Sequence, residues 1–99
     1  MNNVICIAKF AAQPNKLPEL ESRLQELVRL SRLEAGCIDY DLCYAQDGAF
    51  DFFIVERYKT KEDFEIHSNK DYLVRLLGDL EALTTKASIQ IGENVQQLL

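Results

Sequence analysis

The sequence predicts a single α+β domain whose elements run β-α-β-β-α-β. Three observations carry this: four stretches rich in β-branched and aromatic residues, two helical-period stretches set between them, and turn residues at the joints. A chain of 99 residues has room for one domain, here residues 1–99.

Residues 3–11 are the first predicted strand. Ile5 and Ile7 share one face, and Val4, Cys6, Ala8 and Phe10 share the other, so both faces ask for cover. Gln13-Pro14-Asn15-Lys16 is a turn, and Pro18 falls in a first helical turn, where it is tolerated. Helix 17–34 places Leu17, Leu20, Leu24, Leu27 and Val28 in one stripe, with Leu30 and Leu33 off it and pointing to a second contact. Gly36 is its stop signal. Strand 37–45 alternates Ile38, Tyr40, Leu42 and Tyr44 with Cys37, Asp39, Asp41 and Cys43. Gln46-Asp47-Gly48 is a hairpin turn, because Asp-Gly supplies a positive φ.

Strand 50–58 puts Phe52, Ile54, Glu56 and Tyr58 on one face and Phe53, Val55 and Arg57 on the other. Thr60, with Asp63 three residues on, opens a short helix as a shortened capping box. Ser68-Asn69 breaks it and caps a second helix over 70–83, striped by Leu73, Leu76, Leu77, Leu80 and Leu83. Gly78 inside that helix costs about 1 kcal/mol relative to alanine and marks close packing. Strand 86–95 closes the order with Ala87, Ile89, Ile91 and Val95 on one side, and Leu98-Leu99 end the chain as an apolar tail. At this length the order is that of the ferredoxin-like plait, an antiparallel four-stranded sheet with helices on one face.

Composition narrows the function classes. With 11 basic and 16 acidic residues the net charge is −5, the wrong sign for a binder of nucleic acid. No apolar run approaches the ~20 residues of a membrane helix. The start Met1-Asn2-Asn3-Val4 lacks a basic region, so it does not read as a signal peptide. Cys6, Cys37 and Cys43 form neither a zinc spacing nor a CxxC pair, so small buried hydrophobes in a reducing cytoplasm are the expectation, with no metal. Helices cover one sheet face, yet strands one and three carry large apolar residues on both. Each such side chain left in water forgoes about 1.5–3 kcal/mol, so a homodimer packed sheet to sheet is expected. A monomer with a mildly apolar open sheet is the alternative.

Few residues can carry chemistry. His67, the sole histidine, is the obvious acid or base, or else a packed or solvated ring. Glu56 interrupts an apolar strand face, which makes it either a rim charge or a buried carboxyl with a raised pKa. Phe64 is the i−3 neighbour of His67. Tyr58 and Tyr72, like Tyr40 and Tyr44, either line a cavity or simply pack. Asp39 and Asp41 read as a solvated edge. No phosphate loop, dinucleotide fingerprint, nucleophile elbow or metal helix is present, so an enzyme built here would use an apolar pocket and a few polar side chains.

Three segments resemble the antibiotic biosynthesis monooxygenase family, small dimeric ferredoxin-like proteins. Glu34-Ala35-Gly36-Cys37-Ile38-Asp39-Tyr40-Asp41-Leu42 is similar to its E-x-G-C-x-x-Y-x-L junction, Phe53-Ile54-Val55-Glu56-Arg57-Tyr58 to its strand ending E-x-W or E-x-Y, and Phe64-Glu65-Ile66-His67 to its helix ending in histidine. The resemblance spans almost the whole chain. It implies a dimeric α+β barrel with a substrate pocket in each subunit, and no cofactor. Some members oxidise quinols or phenols with molecular oxygen, the deprotonated substrate supplying the electrons. Others degrade haem, and one branch isomerises a phosphorylated autoinducer-2 breakdown product. Tyr58 stands where many members carry tryptophan, and Tyr72 where many carry an aromatic after a second histidine.

The leading expectation is a cofactor-independent monooxygenase acting on a small phenolic or quinol-like substrate. His67 takes or shares the hydroxyl proton, Glu56 orients it or a water, and Tyr58, Tyr72 and Phe64 bind the ring. An isomerase would instead need cations near the pocket, with Arg57, Lys59, Lys61, Lys70 and Arg75 as candidates. A non-catalytic ligand-binding dimer is the third reading.

Overall fold

The computed structural model describes residues 2–95. Its elements are β1 (Val4–Ala12), α1 (Leu17–Ser31), β2 (Cys37–Tyr44), β3 (Phe52–Tyr58), α2 (Lys61–Ser68), α3 (Asp71–Leu83) and β4 (Thr84–Glu93). All strand pairs are antiparallel in the order β2-β3-β1-β4, which is the ferredoxin-like arrangement with its second helix split in two. The apolar tail at Leu98-Leu99 lies outside the described residues.

Alternation decides which side chains meet the helices. Val4, Cys6, Ala8 and Phe10 of β1 and Phe52, Ile54, Glu56 and Tyr58 of β3 are all buried. They form the core with Leu20, Leu24, Leu27 and Val28 of α1 and Leu76 and Leu83 of α3, apart from Cys6 and Glu56. One row across the sheet reads Tyr40, Glu56, Cys6, Ile91. A carboxyl is thus embedded in an otherwise uncharged row beneath the helices.

Several expectations change in detail. α1 stops at Ser31, and tight bonds from Leu33 N–H to the Leu30 carbonyl and from Glu34 N–H to the Ser31 carbonyl turn the chain before Gly36. Leu30 is partly buried and lines a groove against α3, whereas Leu33 finds no second contact and is exposed. An irregularity in β2 between Cys37 and Asp39 breaks the predicted alternation: Cys37 pairs with Tyr58 and packs on the core, and Ile38 is left exposed. Ser68 and Asn69 do not cap α3. Their side chains bond back to the carbonyls of Phe64 and Glu65 and close α2. The predicted cap at Thr60 is present, its Oγ1 accepting from Asp63 N–H at 3.1 Å. Gly48 has the positive φ expected of the hairpin turn, at 80°.

The two informative glycines differ. A Cβ on Gly36 would lie 2.2 Å from Cγ of Asp63, so the α1–β2 turn and the start of α2 fit together only without a side chain there. Gly78 is exposed, and a Cβ there would meet nothing within 4 Å, so the close packing expected of it is absent. Gly36→Ala should lower stability in urea unfolding by about 1–3 kcal/mol through overpacking. Gly78→Ala should raise it by about 0.5–1 kcal/mol, because helix propensity improves at no steric cost.

Candidate functional site

His67 is the last-turn residue of α2 that faces the sheet, and only 2% of it is exposed. Three aromatic rings box it in: Tyr58 with centroids 4.8 Å apart, Tyr40 at 5.5 Å edge-on, and Phe64 at 6.1 Å. Each ring nitrogen meets a carboxylate. Nδ1 lies 3.0 Å from Glu34 Oε2, and Nε2 lies 3.4 Å from Glu56 Oε1. Both carboxyl side chains are themselves buried. An imidazole flanked this way can gain or lose a proton at Nε2 while staying hydrogen-bonded at Nδ1.

Glu56 is the carboxyl on the cavity side. Burial pushes its carboxyl up to about 7, and the Glu34 charge adds to this while the Tyr40 hydroxyl opposes it. Burial likewise pushes the Tyr40, Tyr58 and Tyr72 hydroxyls well above the usual range, so these remain protonated donors. The Cys6 thiol next to Glu56 in the sheet row is pushed up to about 12 by burial and so stays a thiol.

A cavity of about 150 Å³ opens beside this cluster, between the sheet and α3. Its polar edge is Glu56, His67 and Tyr40, and its apolar wall includes Phe64, Leu73, Leu76 and Leu80. That volume is on the scale of one benzene ring. The rim is apolar and half-open: Leu77 is 45% exposed, Ile89 57% and Ile91 56%.

Of the residues singled out in the sequence, His67, Glu56 and Phe64 line the cavity. Tyr58 and Tyr72 sit behind His67 instead, both hydroxyls donating to Glu34, the former at 3.2 Å. Tyr44 is exposed and donates to Glu21 on the outside of α1. The cations considered for an isomerase, Arg57, Lys59, Lys61, Lys70 and Arg75, are not among the cavity-lining residues. Asp39 and Asp41 form exposed ion pairs with Arg57 and Arg32. Among the described residues no group of three or more His, Cys, Asp or Glu side chains is arranged to hold a metal. The site residue that the sequence reading passed over is Glu34, an acid at a helix end whose inward turn only the fold reveals. Its one sequence signal was its place at the head of the Glu34-Ala35-Gly36-Cys37 segment.

Comparison with known proteins agrees with this fold. Residues 3–76 match the antibiotic biosynthesis monooxygenase family. A Mycobacterium tuberculosis protein named "Putative monooxygenase Rv0793" is 26% identical over 83 residues, covering 84% of this chain and 81% of its own. The structure of Rv0793 superposes with a TM-score of 0.88 over 96% of this chain and 97% of that one, at 23% identity. PA3566 from Pseudomonas aeruginosa superposes at 0.86, is 29% identical, and covers 97% of both chains. No helix among the described residues is long and apolar enough to cross a membrane. The cavity, its buried histidine and the plait that holds them therefore belong to a member of the antibiotic biosynthesis monooxygenase family.

Proposed function

We propose that the protein is a cofactor-independent monooxygenase that oxidises a small phenolic or quinol-like substrate with molecular oxygen. The observation that carries this reading is the pairing of His67 Nε2 with a buried Glu56 at the edge of a ring-sized apolar cavity. An apolar hollow favours a flat aromatic substrate, and the polar edge receives its hydroxyl. Proton removal there gives a phenolate, which passes an electron to oxygen. Radical coupling at a ring carbon yields a hydroperoxide. Loss of that carbon's proton then breaks the O–O bond, leaving a carbonyl on the ring and releasing water. Phenol plus O2 thus becomes quinone plus water, with no external reductant. His67 and Glu56 accept the protons and return them to the leaving oxygen. Phe64 packs the substrate ring, and Tyr58 and Tyr72 act one layer back by holding Glu34. A cavity lined by a carboxyl and by no lysine or arginine gives no support to a phosphorylated isomerase substrate.

A homodimer and a cytoplasmic location belong to the same reading. The sheet face away from the helices presents Ile5, Ile7, Phe53 and Val55, each only half-buried, and Ile7 lies opposite Val55 in the register. Three free thiols suit a reducing compartment.

Oxygen uptake should be measured with a panel of one- and two-ring phenols and quinols. His67→Ala should lose about 100-fold or more of the rate, and uptake unaffected by that change would overturn the assignment. The wild-type rate should climb as pH rises through about 7, where Glu56 gives up its proton, and Glu56→Gln should lose that step. Stability should move the other way. Folded Glu56 keeps a proton that the unfolded chain releases near 4.5, so wild-type stability falls as pH rises from 4.5 to about 7. Glu56→Gln should therefore match wild type at pH 5 and exceed it at pH 8, on the order of 2 kcal/mol in urea unfolding. For the dimer, Val55→Asp should convert the sedimenting species to monomer; a wild type that already sediments as a monomer removes that part of the reading.

A further inference from the structure

Glu34 is surrounded by donors. The Tyr58 hydroxyl donates to Oε1 and the Tyr72 hydroxyl to Oε2, and His67 Nδ1 lies 3.2 Å from the first oxygen and 3.0 Å from the second. Only 7% of its side chain is exposed, and among the described residues its one ion-pair partner is His67. Both tyrosine hydroxyls donate to Glu34, and the contacts of His67 Nδ1 are likewise to its two oxygens. A hydrogen on Nδ1 meets Glu34 at 3.0 Å, whereas one on Nε2 meets Glu56 only at 3.4 Å, so the geometry of a neutral His67 favours hydrogen on Nδ1 and the lone pair on Nε2.

We propose that Glu34 is the positioning residue of this site, accepting the Nδ1–H of His67 so that Nε2 presents its lone pair to Glu56 at the cavity edge. Glu34 is not part of the cavity lining and so acts through the ring. Its second task follows from charge. When Nε2 takes a proton, the imidazolium is enclosed by three aromatic rings, and an adjacent carboxylate spares it the cost of an unpaired buried charge. Tyr58 from β3 and Tyr72 from α3 pin the carboxylate from two elements, while the Gly36–Asp63 contact holds its loop against α2.

The proposal rests on the reading that His67 and Glu56 exchange the substrate proton, yet its geometric content can be read without turnover. His67 is the only histidine, so long-range proton–nitrogen correlation spectra of ¹⁵N-labelled protein report one ring. The groups facing that ring are Glu34 on the α1–β2 turn, Glu56 and Tyr58 on β3, Tyr40 on β2 and Tyr72 on α3. At pH 9 the wild type should show Nδ1 protonated and Nε2 bare. Glu34→Ala should shift the population toward the Nε2–H form. Should that variant not fold, Glu34→Gln should move the low-field Nδ1 proton resonance upfield. A wild-type ring carrying hydrogen on Nε2 at pH 9, or a resonance unmoved in Glu34→Gln, overturns the proposal. With any substrate from the oxygen-uptake panel, Glu34→Gln should lower kcat about 100-fold with KM unchanged; a change confined to KM overturns it. If no panel compound turns over, the reading of function fails while the spectra still decide the role of Glu34.

Discussion

Everything at this site depends on keeping one imidazole and two carboxyls together in a nearly dry interior. Burying a charge without a partner costs several kcal/mol, and three ionisable groups in one pocket multiply the problem. The protein meets it by making each group the partner of another. His67 faces Glu34 on one side and Glu56 on the other, and two tyrosine hydroxyls and a third nearby complete the shell. Glu56, whose carboxyl burial pushes up to about 7, is the one at the cavity edge. A structural requirement, neutralising a buried acid, thereby places a titratable proton at the cavity edge.

The fold supplies the distances. Antiparallel register sets Glu56 between Tyr40 and Cys6, facing the helices. The early end of α1 and the glycine at position 36 swing Glu34 inward, and α2 ends where His67 can reach between the two acids. α3 then roofs the cavity but leaves Ile89 and Ile91 of β4 uncovered, so the hollow has an apolar mouth. The helices and the sheet are each ordinary; the site exists because a turn, a strand and a short helix bring Glu34, Glu56 and His67 to the same place.

Much of this was legible in the residues. A carboxyl interrupting the run Phe52, Ile54, Tyr58 announces itself as either a rim charge or a buried acid, and the plait's order follows from alternation and helical spacing. His67 stands out by being single. Glu34 did not stand out, because an acid at the end of an amphipathic helix is most often solvated, and the tight turn that redirects it depends on tertiary contact with Asp63. The irregularity that swaps Cys37 and Ile38 was equally hidden, since strict alternation is the default a strand suggests and only pairing with β3 shows the slip. Tyr58 and Tyr72 read in the sequence as either cavity-lining or packing residues, and their hydroxyls instead meet Glu34, in a segment no local pattern connects to them.

Glu56, in contact with His67, should carry its proton up to about pH 7. Infrared difference spectra of the carboxyl stretching region test it most directly. A band from a protonated, buried carboxyl is expected at pH 5.5, fading through about pH 7 and missing from Glu56→Gln. A spectrum with no protonated carboxyl at pH 5.5, or a band that survives the Glu56→Gln change, would contradict it.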